Sequence, residues 1–473
     1  MNGGRQVAEN YRHKVICDPV HGDIGISAVE EQLIDAPSFQ RLRKLKQLGL
    51  ASLVYPNASH SRFAHSLGVF RIMSSVIDFL VNRGKLTDAD RRIMRVAALL
   101  HDVGHYPYSH LMEYVDRDRH RPTYLAQPKG TRRAIDDPAA RYPDHEKIGQ
   151  LVITQRPDIA QKLSENAFDP EEIASIIRGQ HPKAAYNQLI HSSLDMDRMD
   201  YMVRDSLGTG VPYGRIDLHY LLNNLDVADD GRLVVSYKAA AAAEHFLVAR
   251  YFMYKTVYMH KTIFAFEALV RHILWLLRKS GRIYRDGADI EAIVLTDAFL
   301  DFHDGYVDRL IDRFASQKKP SKIGDLCLWL KQREPPRLVH EVAVLGQQSA
   351  SLPADYSLFV KDRAKKIREL AAKYRIDRTR WIWEDPKDIK FESLGPYVAL
   401  SEMRDVPPDE AAELIHVRER DGSVRPLVED KNSVIHHLSQ LRLRMSRLYV
   451  VGPVEDEKFK AIQRDAQAWV RQD

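Results

Sequence analysis

The stretch "EHFLVARYFMYKTVYMHKTIFAFEALVRHILWLLRK", residues 244–279, constrains the fold more than any other. Its apolar residues recur at helical spacing but cover too much of the circumference for a helix lying on a surface. Such a segment must be enclosed. It predicts one long helix or a broken pair, buried between other helices or at a subunit contact. Glu244, His245 and Arg250 interrupt the overlapping run "AAAAAEHFLVARYFMY", which argues against a membrane span.

Helices able to enclose it precede it in the chain. From about Glu30 the apolar spacing is mostly helical. "FQRLRKLKQLG" puts Phe39, Leu42 and Leu45 on one face and is expected to end at Gly49 as a C-cap. "HSRFAHSLGVFRIMSSVIDFLV" is a second helix. "DADRRIMRVAALLH" is a third, with Ile93, Val96, Ala97 and Leu100 facing inward until Gly104 and Pro107 break the pattern. The Pro- and charge-rich "QPKGTRRAIDDPAARYPDH" reads as a loop. Helices resume at "EKIGQLVI", "PEEIASII" and "HSSLDMDRMDYMVRDSL". The first 30 residues look extended or turn-rich. Beyond "SQKKPSKIGDL" one strong helix, "LFVKDRAKKIRELAAKY", is joined by short strand candidates. These are "RWIWE", "LIHVRERDGSVRPLV" turning at Asp421-Gly422, and "SRLYVV". The chain has 473 residues, too many for one core of ordinary size. The expected fold is mainly α: a helical lobe over residues 1–330, with its core at about 55–210, and a smaller α+β lobe over 331–473.

Composition narrows the class. At 44% hydrophobic and 29% charged the sequence reads as an ordinary soluble globular protein. Two cysteines, Cys17 and Cys327, make a disulfide framework improbable and fit a reducing cytoplasm. "MNGGRQVAENYRHK" has no apolar h-region, so no secretion signal is expected. A net charge of +5 suits anionic substrates such as nucleotides but is too small to demand nucleic acid.

Chemistry concentrates where the helical runs stop. "AALLHDVGHYPYSH" sets His101, Asp102, His105 and His110 at the end of an apolar helix. A His-Asp pair there is ordinarily structural, since imidazole complements the helix dipole. "DMDRMDYMVRD" carries Asp195, Asp197, Asp200 and Asp205 interleaved with Met196, Met199, Tyr201, Met202 and Val203. Acid-to-base pairs on a solvated face would also give this pattern. The apolar interleaving suggests that some carboxylates face an interior cleft. With His65 in "RFAHSLG", two imidazoles and two carboxylates could converge if these helices bundle. That donor set suits a divalent ion for phosphoryl chemistry.

"HSRFAHSLGV", "LLHDVGHYPYSH", Asp144-His145 and "LDMDRMDYMVRD" follow the order of the HD-domain phosphohydrolases. More closely, the chain resembles the sterile-alpha-motif and HD-domain deoxynucleoside triphosphate triphosphohydrolases and their bacterial relatives, from "KVICDPVHGDI" through "IDAPSFQRLRKLKQLG" to "VYMHK". A sterile-alpha-motif domain is not expected here. The resemblance implies that His65, His101, Asp102 and Asp197 hold a divalent metal, with Mg²⁺, Mn²⁺, Fe²⁺ and Zn²⁺ all open. It implies that Arg62 and His110 hold the triphosphate, and that Tyr201, Asp205, Arg250 and Tyr258 touch substrate, Asp205 and Tyr258 on the sugar side. It implies that Gln47 and Leu48 line the deoxyribose and base. His105 and His145 are placed for proton transfer or phosphate contact. Arg198 replaces the family's lysine, and Glu113 replaces an aspartate that pairs with the His145 equivalent. His145, oriented by Glu113, is the expected acid.

The resemblance further implies guanine-nucleotide regulation, by GTP or dGTP, at interfaces of a homo-oligomer, dimer or tetramer. Asp35, Gln40 and Arg43 match the residues that read guanine. Lys14, Val15, His260 and Lys261 match part of a neighbouring allosteric pocket. There Cys17 replaces an asparagine, an arginine near Tyr220 is missing, and Met259 replaces a glutamine. The 331–473 lobe is expected to be regulatory or to support oligomerisation. The function implied is dNTP plus water to deoxynucleoside plus tripolyphosphate, in the cytoplasm and away from membranes. Two alternatives remain. One is another HD phosphohydrolase, acting on nucleoside monophosphates, cyclic dinucleotides or single-stranded nucleic acid. The other is a non-catalytic binder of nucleotides or nucleic acid.

Overall fold

The computed structural model describes residues 14–113, 115, 141–319, 321–347, 353–385, 389–390, 414–439 and 441–470. Most of the stretch expected to be a loop, "QPKGTRRAIDDPAARYPDH", lies outside them. The fold is mainly helical, with small sheets. The Arg62–Asn82 helix runs through the core. Ser61 Oγ caps it by accepting from Ala64 N, and it buries Phe63, Leu67, Phe70, Met73 and Ile77. By length and composition it is also the one helix among the described residues that could cross a bilayer. Yet 67% of that window is buried inside the protein, as a core helix requires.

Two glycines set how closely its neighbours approach. A Cβ on Gly68 would lie 1.8 Å from Asp200 Oδ1, so the Met196–Thr209 helix packs there on bare backbone. A Cβ on Gly104 would lie 2.2 Å from both Gly149 N and His145 O. The start of the His145–Gln155 helix is thereby pressed against the turn that follows the Asp88–Leu100 helix. These two contacts bring His65, Asp197, His101 and His145 to one end of the bundle.

The constraining run is a broken pair of helices. Ala240–Met253 is α-helical, Tyr254–Tyr258 widens into a π-turn, and Lys261–Lys279 resumes as an α-helix. His260 Nδ1 caps the second helix by accepting from Thr262 N at 3.3 Å. The second helix buries Phe266, Leu269, Ile273 and Leu277 in the main core and Ile263 against Ala51 and Ala58.

Three expectations change. "FQRLRKLKQLG" is not one helix. Pro37–Gln40 forms a single α-turn, Arg41–Lys44 a 3₁₀ turn, and Leu45 is extended. The buried Arg41 guanidinium causes this by donating inward to the carbonyls of Phe302, Val103 (3.1 Å) and His105 (2.7 Å). Gly49, at φ +49°, opens the next 3₁₀ turn rather than closing a helix. The strong helix near residue 360 splits into Ala354–Val360 and Arg363–Tyr374, because Asp362 takes the left-handed region at φ 53°. The helix carrying "DMDRMDYMVRD" starts only at Met196, where Asp195 caps it by accepting from Arg198 N at 2.7 Å.

The strands form three antiparallel or mixed units. Lys14–Asp18 pairs with Gly22–Ile26 as a hairpin, in register from Lys14↔Ile26 to Asp18↔Gly22. Leu441–Val450 is a central strand. It runs antiparallel to Arg337–Gln347, which the pattern did not predict, and to Trp381–Glu384, which it did. Leu225–Val227, Leu233–Ser236, His416–Arg418 and Val424–Pro426 make the third sheet, and the Leu233–Ser236 and His416–Arg418 strands are parallel. That sheet draws strands from both sides of residue 330. The main core does the same, with Ile415, Val417 and Tyr449 packed among the helical residues. A second core of Phe359, Ile367, Trp383, Leu448 and Ile462 lies under the Leu441–Val450 sheet.

Candidate active site

Helix ends deliver the donors. His65 lies in the first turn of Arg62–Asn82, His101 and Asp102 directly follow Leu100, and Asp197 lies in the first turn of Met196–Thr209. His65, His101 and Asp197 bring one ligand atom each within 4.8 Å of one another, and Asp102 lies beside them. His65 Nε2 is 2.8 Å and His101 Nε2 3.9 Å from Asp197 Oδ1. Asp102 lies 3.8 Å from His65 Nε2 through Oδ2 and 3.5 Å from His101 Nε2 through Oδ1. Both Nε2 atoms are buried and make no hydrogen bond; the short His65–Asp197 contact lacks the alignment of one. Buried polar nitrogens left without a partner are costly. A divalent cation would satisfy both, and this donor set fits one.

The backs of the imidazoles are fixed. His101 Nδ1 faces Ala98 O at 2.8 Å. His65 Nδ1 faces Asp200 Oδ2 at 2.7 Å. Asp200 is fully buried and is held in turn by His21 Nε2 (2.6 Å) and by Arg204 Nε (2.8 Å), while Arg204 Nη1 reaches Asp18 at 3.0 Å. This arrangement turns Nε2 of each ring toward the shared centre. Burial alone would lower the His65 pKa; the Asp197 and Asp200 carboxylates reverse that and raise it to about 10. Asp18, His21, Asp200 and Arg204 were not among the expected site residues. Asp200 and Arg204 are visible in sequence as an i,i+4 pair, but nothing local connects them to residues 18 and 21. Asp200→Asn is expected to weaken divalent-metal affinity about 10- to 100-fold. Calorimetric titration of the full chain measures this, and native affinity in the variant rejects the role.

The turn after His101 has two consecutive non-glycine residues in the left-handed region, Tyr108 at φ 52° and Ser109 at φ 55°. Asp304 Oδ1 accepts from Tyr108 N at 2.7 Å, and Arg62 Nε donates to Ser109 Oγ at 2.9 Å, pinning the turn. His110 is thereby folded back onto two stacked imidazoles. His105 and His145 lie with ring centroids 4.0 Å apart, and His110 meets both edge-on at 5.3 Å. Buried Glu113 reaches His110 Nδ1 at 2.8 Å and His145 Nδ1 at 3.3 Å, so it orients two imidazoles rather than the one expected. Burial would raise the Glu113 carboxyl, but His110 and His145 hold it far below the carboxylate range. Burial would lower His145, and Glu113 raises it above the ordinary imidazole value. Burial, with Arg62 and His145, pushes His105 well down despite Asp102 at 3.0 Å. Arg62 Nη1 also donates to Asp102 Oδ2 at 2.6 Å. Burial would raise Asp102, whereas Arg62, His105 and His101 hold it well below the usual range.

Two neighbouring cavities share lining residues beside this centre. One, of about 270 Å³, is lined by Arg62, His101, Asp102, His105, His145 and Arg198. The other, of about 360 Å³, runs past Leu48, Asp205 and Tyr258 to Phe264, Glu267 and Arg271. Gln47, Arg62, His110 and Tyr201 line both. Asp205 is braced by His60 Nε2 at 2.8 Å and accepts from Tyr258 Oη at 2.7 Å. The Arg198 guanidinium contacts the Asp195 carboxylate and leaves Nε unpartnered. Arg250 differs from the other expected substrate residues by lining neither cavity. It is 2% exposed, stands behind the Tyr254 ring and leaves Nε and Nη1 without partners.

Of the expected regulatory residues, Lys14 pairs with Glu31 at 2.7 Å, and Val15 is exposed beside it. Asp35 is exposed, while Arg43 Nε donates to Gln40 Oε1 at 2.7 Å. His260 and Lys261 lie at the cap of the Lys261–Lys279 helix.

Residues 62–205, which contain all four converging donors, match the family model of the HD domain. This segment is an HD domain. Residues 216–297 match the HD associated region. An uncharacterized protein of Methanocaldococcus jannaschii is 33% identical over 304 residues, 63% of this chain and 58% of that protein. An uncharacterized protein of Bacillus subtilis is 33% identical over 241 residues, 50% of each chain. The deoxynucleoside triphosphate triphosphohydrolase SAMHD1 homolog of Dictyostelium discoideum is 34% identical over 206 residues, 42% of this chain and 37% of that one. The chain thus spans between a third and three fifths of these relatives. A crystal structure of a phosphohydrolase from Bacteroides thetaiotaomicron superposes with a TM-score of 0.67 at 25% identity, covering 93% of this chain and all of that one.

Proposed function

We propose that the HD domain of this chain hydrolyses deoxynucleoside triphosphates to deoxynucleoside and tripolyphosphate. The observation that carries the reading is the pair of unpartnered Nε2 atoms on His65 and His101, next to a cavity lined by His101, Asp102 and Asp197. The similarity to triphosphohydrolases of deoxynucleotides supports the substrate class. His65, His101, Asp102 and Asp197 would hold a divalent ion, which when bound lowers the pKa of water and offsets phosphate charge. The chain's own groups do the rest. Arg62, Arg198 and the His110 imidazole surround the position for the phosphates, where cations stabilise developing charge. Asp205, braced by His60 and Tyr258, faces the sugar. Water oxygen bonds to the α-phosphorus, the bond to O5′ breaks, and His145 delivers a proton to O5′. His105, held neutral against the stacked His145, is suited to accept a proton or to donate one hydrogen bond to phosphate.

The test is chromatographic. The full chain with Mg²⁺, Mn²⁺ or Fe²⁺ is offered the four dNTPs, the four rNTPs, monophosphates and an oligonucleotide. Deoxynucleoside with tripolyphosphate is the expected product pair. Oligonucleotide shortening alone, or release from monophosphates alone, overturns the reading in favour of another HD phosphohydrolase. Guanine-nucleotide activation of an oligomer belongs to the same proposal. Activity rising with protein concentration and with GTP or dGTP is expected, and full activity of a monomer without activator removes that part.

A further inference from the structure

The cavity does not stop at the sugar residues. Beyond Tyr258 the Lys261–Lys279 helix presents Ile263, Phe264, Glu267 and Arg271 to it, at positions one and two turns apart on one face. Glu267 and Arg271 thus share this cavity with the apolar side chains Leu48, Ala51, Leu111 and Phe264. Arg271 is 6% exposed, and its Nη2 is buried without any hydrogen-bond partner. Glu384 Oε1 forms an ion pair with Arg271 at 3.5 Å from Nε, which likewise makes no hydrogen bond. Glu267 makes no hydrogen bond among the described residues. Burial, with Glu384 nearby, raises its carboxyl to about 7 although Arg271 lowers it. A guanidinium and a carboxyl one turn apart on a helix, with unspent hydrogen bonds in a cavity partly lined by apolar side chains, suit a ligand with acceptors beside donors.

Resting on the nucleotide reading of this site, we propose that Glu267 and Arg271 read the base and select guanine. Guanine presents two adjacent N–H groups, N1–H and the 2-amino group, which one carboxylate can accept together. Its O6 and N7 are acceptors for a guanidinium. Adenine and cytosine each offer one amino group to the carboxylate, and thymine one N–H between two carbonyls. Side chains at i and i+4 stand about 5–6 Å apart, the spacing needed to address neighbouring parts of one base edge. Phe264 supplies a ring against which the flat base can lie.

The experiment compares kcat/KM for the four dNTPs, with GTP held constant, in the native chain, Glu267→Gln and Arg271→Met. Native enzyme is expected to prefer dGTP. Each variant is expected to lower the dGTP-to-dATP ratio at least about tenfold, the scale of one bidentate base contact. In parallel, calorimetric titration with dGMP and dAMP needs no turnover, and thermal melts confirm that both variants fold. Hydrolysis of all four dNTPs without base preference, or equal losses on every base in the variants, overturns the guanine subsite alone. Tighter dGMP than dAMP binding that vanishes in Glu267→Gln, with no dNTP hydrolysed, leaves the subsite standing and removes the triphosphohydrolase reading.

Discussion

Asp197→Ala is expected to abolish hydrolysis and to weaken divalent-metal binding by more than the 10- to 100-fold typical of a supporting residue, while the chain stays folded. Asp197 is the converging donor whose side chain remains 34% exposed, so truncating it opens no sealed cavity. His65 is a poorer choice. It is fully buried between Asp197 and Asp200, and truncating it leaves a cavity in the core and removes one of the three side chains that hold Asp200. Loss of activity in His65→Ala could therefore report unfolding. In Asp197→Ala the melting temperature without metal should stay near native, and the native chain's stabilisation by added metal should disappear. Activity that survives Asp197→Ala, or survives exhaustive chelation of the native chain, rejects the metal centre. Asp200→Asn should fall between the two, since it leaves all four donors in place and loosens only the hold on His65.

What the sequence discloses is the periodic and the local. The third helix ends where the Gly104 and Pro107 breaks predict, and its inward face of Ile93, Val96, Ala97 and Leu100 is buried. The interleaving of acids with methionines near residue 200 does mark carboxylates that face an interior cleft, since Asp197 and Asp205 each line one of the two cavities. Convergence of His65, His101, Asp102 and Asp197 came from the order of motifs, because spacing alone cannot say which helix ends meet. What was not legible depends on distant partners. The "FQRLRKLKQLG" segment has helical spacing, but carbonyls at residues 103, 105 and 302 capture Arg41 and override it. Asp304 accepts from the backbone of both Lys46 and Tyr108, shaping two turns about 200 or more residues away in sequence. The parallel pairing of Leu233–Ser236 with His416–Arg418 leaves no local trace, for short strands carry little periodic signal. The same holds for His21 behind Asp200: its motif is visible, its partner is not.

The second large effect concerns the proton. His145→Gln is expected to reduce turnover about 100- to 10,000-fold, the range for losing a positioned general acid. Glu113→Gln should reduce it less and move the pH profile, which separates the acid from a group that merely packs. A general acid works protonated, so activity falls as pH rises through its pKa. Against the lowering effect of burial, Glu113 holds the His145 pKa above the ordinary imidazole value. Exchanging its carboxylate for an amide removes the largest influence opposing burial and leaves only those of Glu146 and Asp102, so the pKa drops and the alkaline limb of kcat moves to lower pH. Below that limb the variant should approach its own maximum, and above it the deficit against native enzyme should widen. His105 predicts the reverse. It is already depressed by burial, Arg62 and His145, so it is neutral near pH 7. Were it the acid, a less charged His145 would ease its protonation and carry the limb to higher pH. The sign of the shift in Glu113→Gln therefore decides between two imidazoles whose rings lie only 4.0 Å apart. An unmoved limb assigns the proton to neither.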